Sequence, residues 1–513
     1  MKRASVLLVC VAAFWAVACS NSGGSTTTPP PPTGPFSNSS LNGQYAFIMT
    51  GSEARSTGNV EPYARIGSFT ALGNGTISTG VEDVSLATGV NYFGFTGGSY
   101  DISGDGTGSL TLTDSSGTLT FAITLASSST GYLIEVPTDL ESTASGSFMK
   151  QDAAQFGVTG ISNNYAFDFS GLDSSGLPRS VVGQFFSNGG GSFSTGVDDD
   201  NDAAVITNGG NQQINGSYAA DGLNPTDLVN FGRGDFSLGG ITGVFYIVGS
   251  NEVLFLETTS GGLLTGTALQ QTGIPTTTAG ISGGFVYVMG GSGAGGPLAR
   301  GGKFSTSGGS LSNIIVDNNN AGTLLSLKSS SGTYTIDSSG DGRGTINYDV
   351  SGQKNTFQYV FYLVSPNQAF IQDQSIGIVA DGSMMGQGTS NITNASLAGT
   401  YALNWSGVTS ASGSSGEEDL VGQTTLSSSD ALTGTANLNE FSTDRQYLGT
   451  TLTGQLTLAT DPTSHNALTI NLATNPANDG ITFFAYVANN NTVLLMSTQT
   501  VRIAAGVLAP QTQ

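Results

Sequence analysis

The chain has 513 residues, of which 75 are glycine and only 10% are charged, and its formal net charge is −22. That length allows three to five domains, and short apolar runs punctuated by glycine and serine exclude a disordered chain. An acidic chain with no basic stripe has nothing to displace counterions from a phosphate backbone, which excludes nucleic acid as a partner.

Residues 1–18, "MKRASVLLVCVAAFWAVA", read as a signal peptide: Lys2 and Arg3, an apolar run too short to span a bilayer, then small residues. Both cysteines of the chain, Cys10 and Cys19, lie in the first 19 residues, so the folded remainder has no disulfide, thiolate metal site or cysteine nucleophile. "AVAC" at 16–19 resembles the lipobox of bacterial lipoproteins, with Ala16 where leucine is usual. The resemblance implies cleavage before Cys19 and attachment to the membrane through lipid on that residue. Ser20, rather than aspartate, implies placement at the outer membrane or cell surface of a bacterium. Residues 19–40 form a Ser/Thr/Pro-rich tether that builds no core. Extended, it reaches roughly 60 Å.

Four repeats follow. "GQYAFIMTG", "NNYAFDFSG", "GGFVYVMGG" and "GTYALNWSG" share an alternating aromatic pattern led by Tyr45, Tyr165, Phe285 and Tyr401, at intervals of 120, 120 and 116 residues. Large side chains on alternate residues fit a strand with one buried face. Each repeat closes alike, on Gln151, Gln271, Gln387 and Gln511, with a glycine five residues earlier. The domains are therefore expected at 41–151, 161–271, 281–387 and 397–511.

Within the first repeat eight runs read as strands, from "QYAFIMT" through "RIGSFTA", "GTISTGVEDV", "GGSYDI", "GSLTLTD", "TLTFAITL" and "GYLIEV" to "GSFMKQ". No helical periodicity is sustained. The expected fold is all-β, with four tandem antiparallel domains of about eight strands each. An up-and-down barrel is favoured, and an Ig-like β-sandwich is the alternative. The opening G-x-Y strand and the strand count resemble the calycin group, lipocalins and avidins, which open on G-x-W; Tyr45 stands where that group has tryptophan. The resemblance implies a small barrel whose interior is either a ligand cavity or a packed core, and sequence favours the core.

Candidate sites are few. "DISGDGTG" places Asp101, Ser103 and Asp105 at alternate positions, as in a calcium loop, but an EF-hand needs a carboxylate where Leu112 stands. A hairpin turn is the better reading, with "YTIDSSGDGRG", "NFGRGDFSL" and "TTLTGQLTL" as its counterparts. The run "GVDDDNDAA" offers Asp198, Asp199, Asp200 and Asp202 as calcium ligands; a solvated turn is the competing reading. Calcium is the one cofactor to test. Glu135, Glu257 and Asp373 share one repeat position and are expected to face outward. Arg233-Gly234-Asp235 spells an integrin-type tripeptide by chance. His465, the single histidine, has no repeat equivalent on this reading, so neither a catalytic triad nor a histidine metal site is expected. No enzyme and no catalytic residue is expected. The expected role is binding or adhesion at the cell surface, toward a glycan, another surface protein or a small apolar molecule. The alternative is a structural spacer without ligand.

Overall fold

The computed structural model describes residues 36–512 except 55–59, 87–88, 139–140, 208–209, 330, 350–355, 389–391, 410–415, 442–444, 460–463 and 474–478. The expected signal peptide, Cys19 and most of the expected tether lie outside these residues.

The first repeat forms nine strands: β1 Asn42–Ala54, β2 Val60–Leu72, β3 Thr76–Leu86, β4 Gly89–Phe95, β5 Gly97–Ile102, β6 Thr107–Thr113, β7 Thr118–Leu125, β8 Thr130–Glu135 and β9 Ser142–Lys150. Eight of them close an antiparallel barrel in the order β1-β2-β3-β5-β6-β7-β8-β9, with β9 returning to β1. These are the eight runs read from sequence. The ninth, β4, pairs with the outer half of β3 and leaves the barrel wall as a hairpin. It carries no alternating pattern because most of its side chains are at least partly exposed. The second and third repeats have the same order and the same additional strand, and the fourth is a closed barrel of eight. The fold is thus four antiparallel eight-stranded up-and-down barrels, not sandwiches.

Each barrel interior is a packed core. Tyr45, Tyr165, Phe285 and Tyr401 point inward and are buried, each within the core of its own barrel. In the first barrel the Tyr45 ring stacks on Phe69 at 5.6 Å and meets Phe148 edge-on at 5.9 Å.

The barrels also bury their outer walls, and they do so in a cycle. Outward residues of β1, β2, β3 and β9 (Ala46, Ile48, Ile66, Val81, Met149) pack on Val244, Tyr246, Leu254 and Leu256 of the second barrel. The corresponding wall of the second barrel packs on Val360, Tyr362 and Phe370 of the third. The third packs likewise on the fourth, and Ala402, Val421 and Ala509 of the fourth pack on Ala122, Tyr132 and Ile134 of β7 and β8. One kind of head-to-tail joint is used four times and closes on itself, as heterologous contacts do when the rotation completes a ring. The four barrels form a pseudo-four-fold ring.

The repeated closing glutamines sit in these joints. The backbone N–H of each donates to the residue just before the leading aromatic: Gln151 to Gln44, Gln271 to Asn164, Gln387 to Gly284 and Gln511 to Thr400. The side-chain amides reach into the next barrel. Gln151 Nε2 donates to the carbonyls of Phe231 and Ile247, Gln271 Nε2 to those of Asp341 and Leu363, and Gln511 Nε2 to those of Asp105 and Leu125. Gln387 Nε2 donates to Val487.

The G-D-G turn acquires its meaning here. Asp105 Oδ1 accepts from the Thr107 N–H and hydroxyl, which makes 103–106 a hairpin turn, as read from sequence. Gly106 lies at φ +87°, and a Cβ there would stand 2.7 Å from Gln511 Nε2; Gly342, at φ +80°, has the same relation to Gln271. Glycine is required both by the backbone and by the incoming amide.

Candidate ligand site at the third joint

Strand register places three polar positions in each joint. The first is an acid on the third strand: Asp83 opposite Ile66, Asp199 opposite Val182 and Asp317 opposite Gly301. The others are a facing pair on the next barrel, Arg233 with Tyr246 or Arg343 with Tyr362. At the first joint Arg233 holds Asp83 with Nε and Nη2 at 2.7 Å each, and Tyr246 donates to the same carboxylate at 2.7 Å. Its Nη1 reaches Asp221, and its guanidinium lies 4.8 Å from the ring centre of Tyr92, on the β4 hairpin. At the second joint Arg343 holds Asp199 at 2.7 and 2.9 Å, with Tyr362 donating at 2.8 Å. Bidentate pairs of this kind are strong and directional, and they leave no buried charge uncompensated.

The third joint keeps the acid and the tyrosine but changes the base. Asn466 faces Ala485, so His465 stands opposite Tyr486, in the arginine's position. The histidine therefore does have a repeat equivalent. Its counterpart strand is Asn466–Leu472 rather than "TTLTGQLTL", which belongs to the preceding strand Arg445–Thr457. The connection before this strand differs in length from repeat to repeat, which shifts the match by one strand. His465 Nε2 lies 2.9 Å from Asp317 Oδ1, and Tyr486 donates to Asp317 Oδ2 at 2.6 Å. The imidazole stacks on Phe484 at 4.2 Å. Burial and the adjoining Asp317 push the Tyr486 phenol well above its usual range.

A cavity of about 340 Å³ opens beside this triad, lined by Lys303, Phe304, Asn313, Gln387, His465 and Tyr486 among others. Lys303 Nζ donates to the Ser464 carbonyl at 2.8 Å. The volume is in the range of small-ligand sites. Ser326 Oγ lies 3.2 Å from His465 Nε2, the nitrogen that also faces Asp317. A nucleophilic triad needs serine and aspartate on opposite ring nitrogens, and here both face Nε2, so the three groups do not have triad geometry.

The closing joint lacks the triad altogether. Its three positions are Asn437, opposite Val421, and the facing pair Thr107 and Thr124. Acid, base and phenol are replaced together.

The remaining candidates fall elsewhere. Asp198, Asp199, Asp200 and Asp202 lie not in a loop or turn but on the strand Ser192–Asp202, so successive side chains take opposite faces. Asp199 belongs to the second joint, while Asp200 is held by Arg179 at 2.8 and 3.1 Å. The four do not converge, and among the described residues no group of three or more acids, histidines or cysteines is placed to hold a metal ion. Burial, with Asp200 and Asp199 nearby, raises Asp198 to about 7. Glu135, Glu257 and Asp373 face inward, not outward: all three are buried, Glu135 accepts from Tyr63, and Asp373 pairs with Arg300. Their strands misled because both faces are covered, one by the core and one by a neighbouring barrel, which erases the alternation. Arg233 is spent on the first joint, which withdraws the Arg-Gly-Asp tripeptide from any partner.

Two joints carry further buried acids. Asp168 and Asp381 repel each other across the second joint; burial raises both carboxyls, Asp381 to about 7. At the closing joint burial likewise raises Glu417 and Asp419, the latter to about 7, with Ser52 and Thr143 of the first barrel donating to them.

These observations define an all-β ring of four small barrels with filled interiors and a polar cavity between the third and fourth. No family model matches the chain, and no curated protein is similar to it in sequence. Among solved structures it is similar to a tryptophan-to-alanine mutant of transferrin binding protein B, a vaccine antigen from Haemophilus parasuis, at 11% identity over 70% of this chain and 77% of that one, with a TM-score of 0.18. It is also similar to the isotype 1 transferrin binding protein B from serogroup B Neisseria meningitidis, at 12% identity over 74% and 83%, with a TM-score of 0.19. Superpositions this loose carry no argument about ligand, and the fold assignment rests on strand pairing alone.

Proposed function

We propose that the chain is a lipid-anchored bacterial surface protein that binds a small ligand in the cavity of its third joint. The observation that carries this reading is the contrast between equivalent joints. Two are sealed by arginine, one by neutral residues, and the third combines a histidine, a lysine and a cavity of about 340 Å³. Filled barrel interiors favour a site between barrels over one within them. Of the ligand classes open from sequence, a glycan or polar small molecule suits this lining better than an apolar one, because Asn313, Gln387 and Asn466 contribute amides to it. The same filled interiors favour a purely structural role as the second reading.

The test is a screen of glycans and metabolites against the full chain, read at the ring resonances of its single histidine. Saturable shifts that a Phe304→Ala variant weakens support the reading. A screen that leaves the imidazole unmoved favours the structural role. The anchor is tested separately: a Cys19→Ala variant should lose fatty-acid labelling and membrane retention, and retention unchanged would remove the lipid from the account.

A further inference from the structure

We infer that the second joint binds a calcium ion between Asp168 of the second barrel and Asp381 of the third, a site separate from the cavity of the third joint. Strand register brings the two acids together. Asp168 stands three residues after its leading aromatic, where the other barrels have Ile48, Val288 and Asn404. Asp381 stands six residues before its closing glutamine, where they have Ser145, Thr265 and Ala505. These positions meet across the joints. At the closing joint Asn404 Nδ2 donates to Ser145 Oγ at 2.9 Å, and at the third Val288 and Ala505 share one apolar cluster. Only at the second joint are both positions carboxylates.

The pair lacks compensation from the protein. Asp168 is 6% exposed and Asp381 2%. Among the described residues Asp168 has no hydrogen-bond partner, its Oδ1 is buried and unpaired, and so is Asp381 Oδ2. Neither acid pairs with an arginine, lysine or histidine among those residues, and the joint's own Arg343 is taken by Asp199. Two buried carboxylates in that state need a proton or a cation between them. The surroundings suit a cation: the Ser180 and Ser170 hydroxyls adjoin Asp381, and Gln372 Nε2 fixes Ser180 by donating to its Oγ at 2.9 Å. Two carboxylates and two hydroxyls are hard oxygen donors throughout. Calcium accepts such ligands in irregular geometry, whereas magnesium requires a near-ideal octahedron and keeps its waters, for which a packed joint has no room. Burial raises both carboxyls, so calcium competes with protons for the pair and gains as pH rises.

The experiment strips the full chain with EDTA, dialyses it, and titrates it at pH 8 with calcium chloride or magnesium chloride at matched ionic strength. Calorimetry and the thermal midpoint are both read. Calcium should bind at one saturable site per chain and raise the midpoint; magnesium should bind at least tenfold more weakly. At pH 5 the calcium affinity should fall at least tenfold. The double variant Asp168→Asn, Asp381→Ser rebuilds the closing joint's amide–hydroxyl pair, so it should stay folded and lose the site. Asp381→Asn alone should weaken binding at least tenfold. Asp101→Asn, at an exposed acid of the first barrel, should leave it intact. Binding that survives the double variant would put the ion elsewhere and overturn the assignment. Neither saturable heat nor a midpoint shift at up to about 10 mM calcium, above the range of extracellular calcium modules, would overturn it too and leave a shared proton as the pair's compensation. Equal affinity for magnesium would overturn the choice of calcium.

Discussion

The second joint and the closing joint use the same two barrel walls and solve the same problem in opposite ways. The second buries a full triad of Asp199, Arg343 and Tyr362. The closing joint has Asn437, Thr107 and Thr124 at those positions and is left with the amides that both joints share: Gln511, the counterpart of Gln271, and Asn439, which donates to the carbonyls of Glu135 and Ser142 as Asn201 does to those of Asp373 and Ile378. The difference shows that the triad is a unit. A buried acid without its base costs more than a joint with neither, so the acid is retained only where a base faces it. The third joint is the intermediate: it keeps the acid and phenol and exchanges the arginine for a histidine.

The largest effect should come from breaking the unit halfway. Arg343→Met leaves Asp199 buried without its partner and should cost about 3–5 kcal/mol in denaturant unfolding. Adding Asp199→Asn should recover most of that loss, because the double variant approaches the closing joint. Additive losses would contradict the unit.

A smaller effect is expected at the closing joint. Gln511→Ala removes two hydrogen bonds to carbonyls of the first barrel and leaves them buried, for about 1–3 kcal/mol. Because this joint alone closes the ring, the variant should also speed amide exchange in β6 and β7; exchange unchanged there would sever the link between Gln511 and closure.

The acids of the second joint give a pH dependence. Burial holds Asp168 and Asp381 above the ordinary carboxyl range, Asp381 at about 7, so the folded chain keeps protons that the unfolded chain releases. Their stabilising contribution is complete below about pH 4 and is lost as pH rises through about 7. The thermal midpoint should fall between pH 5 and 8, and Asp381→Asn should flatten part of that fall. An identical slope in the variant would remove these groups from the account. The smallest effect belongs to His465→Arg, which converts the third joint to the sealed form: stability within about 0.5 kcal/mol of the parent, with ligand binding, read by calorimetry, abolished.

How much of this was legible in sequence follows from which faces water touches. The eight barrel strands were readable because the aromatic alternation of "QYAFIMT" reports an inward face, and glycines mark several of the turns, as at Gly73, Gly106 and Gly117. The β4 hairpin was not, since "GVNYFGF" is exposed on both sides. The ring itself was written in "VLFLE", "AFIQD" and "VLLMS", continuous apolar runs that are buried on both faces. Read one repeat at a time, such runs look only like a strong strand. The joint triad was visible in outline, as an aspartate recurring in "GVED", "VDDD" and "VDNN" and a tyrosine in "FYIV", "FYLV" and "AYVA". Both are missing where the ring closes, but their pairing across repeats required the register that only the fold supplies.

The central claim is the closed ring, and solution scattering from residues 36–513 tests it directly. Four barrels of about 115 residues arranged in a ring should give a radius of gyration of about 25–28 Å, whereas the same barrels in an open string should give about 40 Å. A value near the first, moving toward the second in a variant that combines Gln511→Ala with Asn439→Ala, is the result the ring predicts. A value near 40 Å for the parent chain would contradict it.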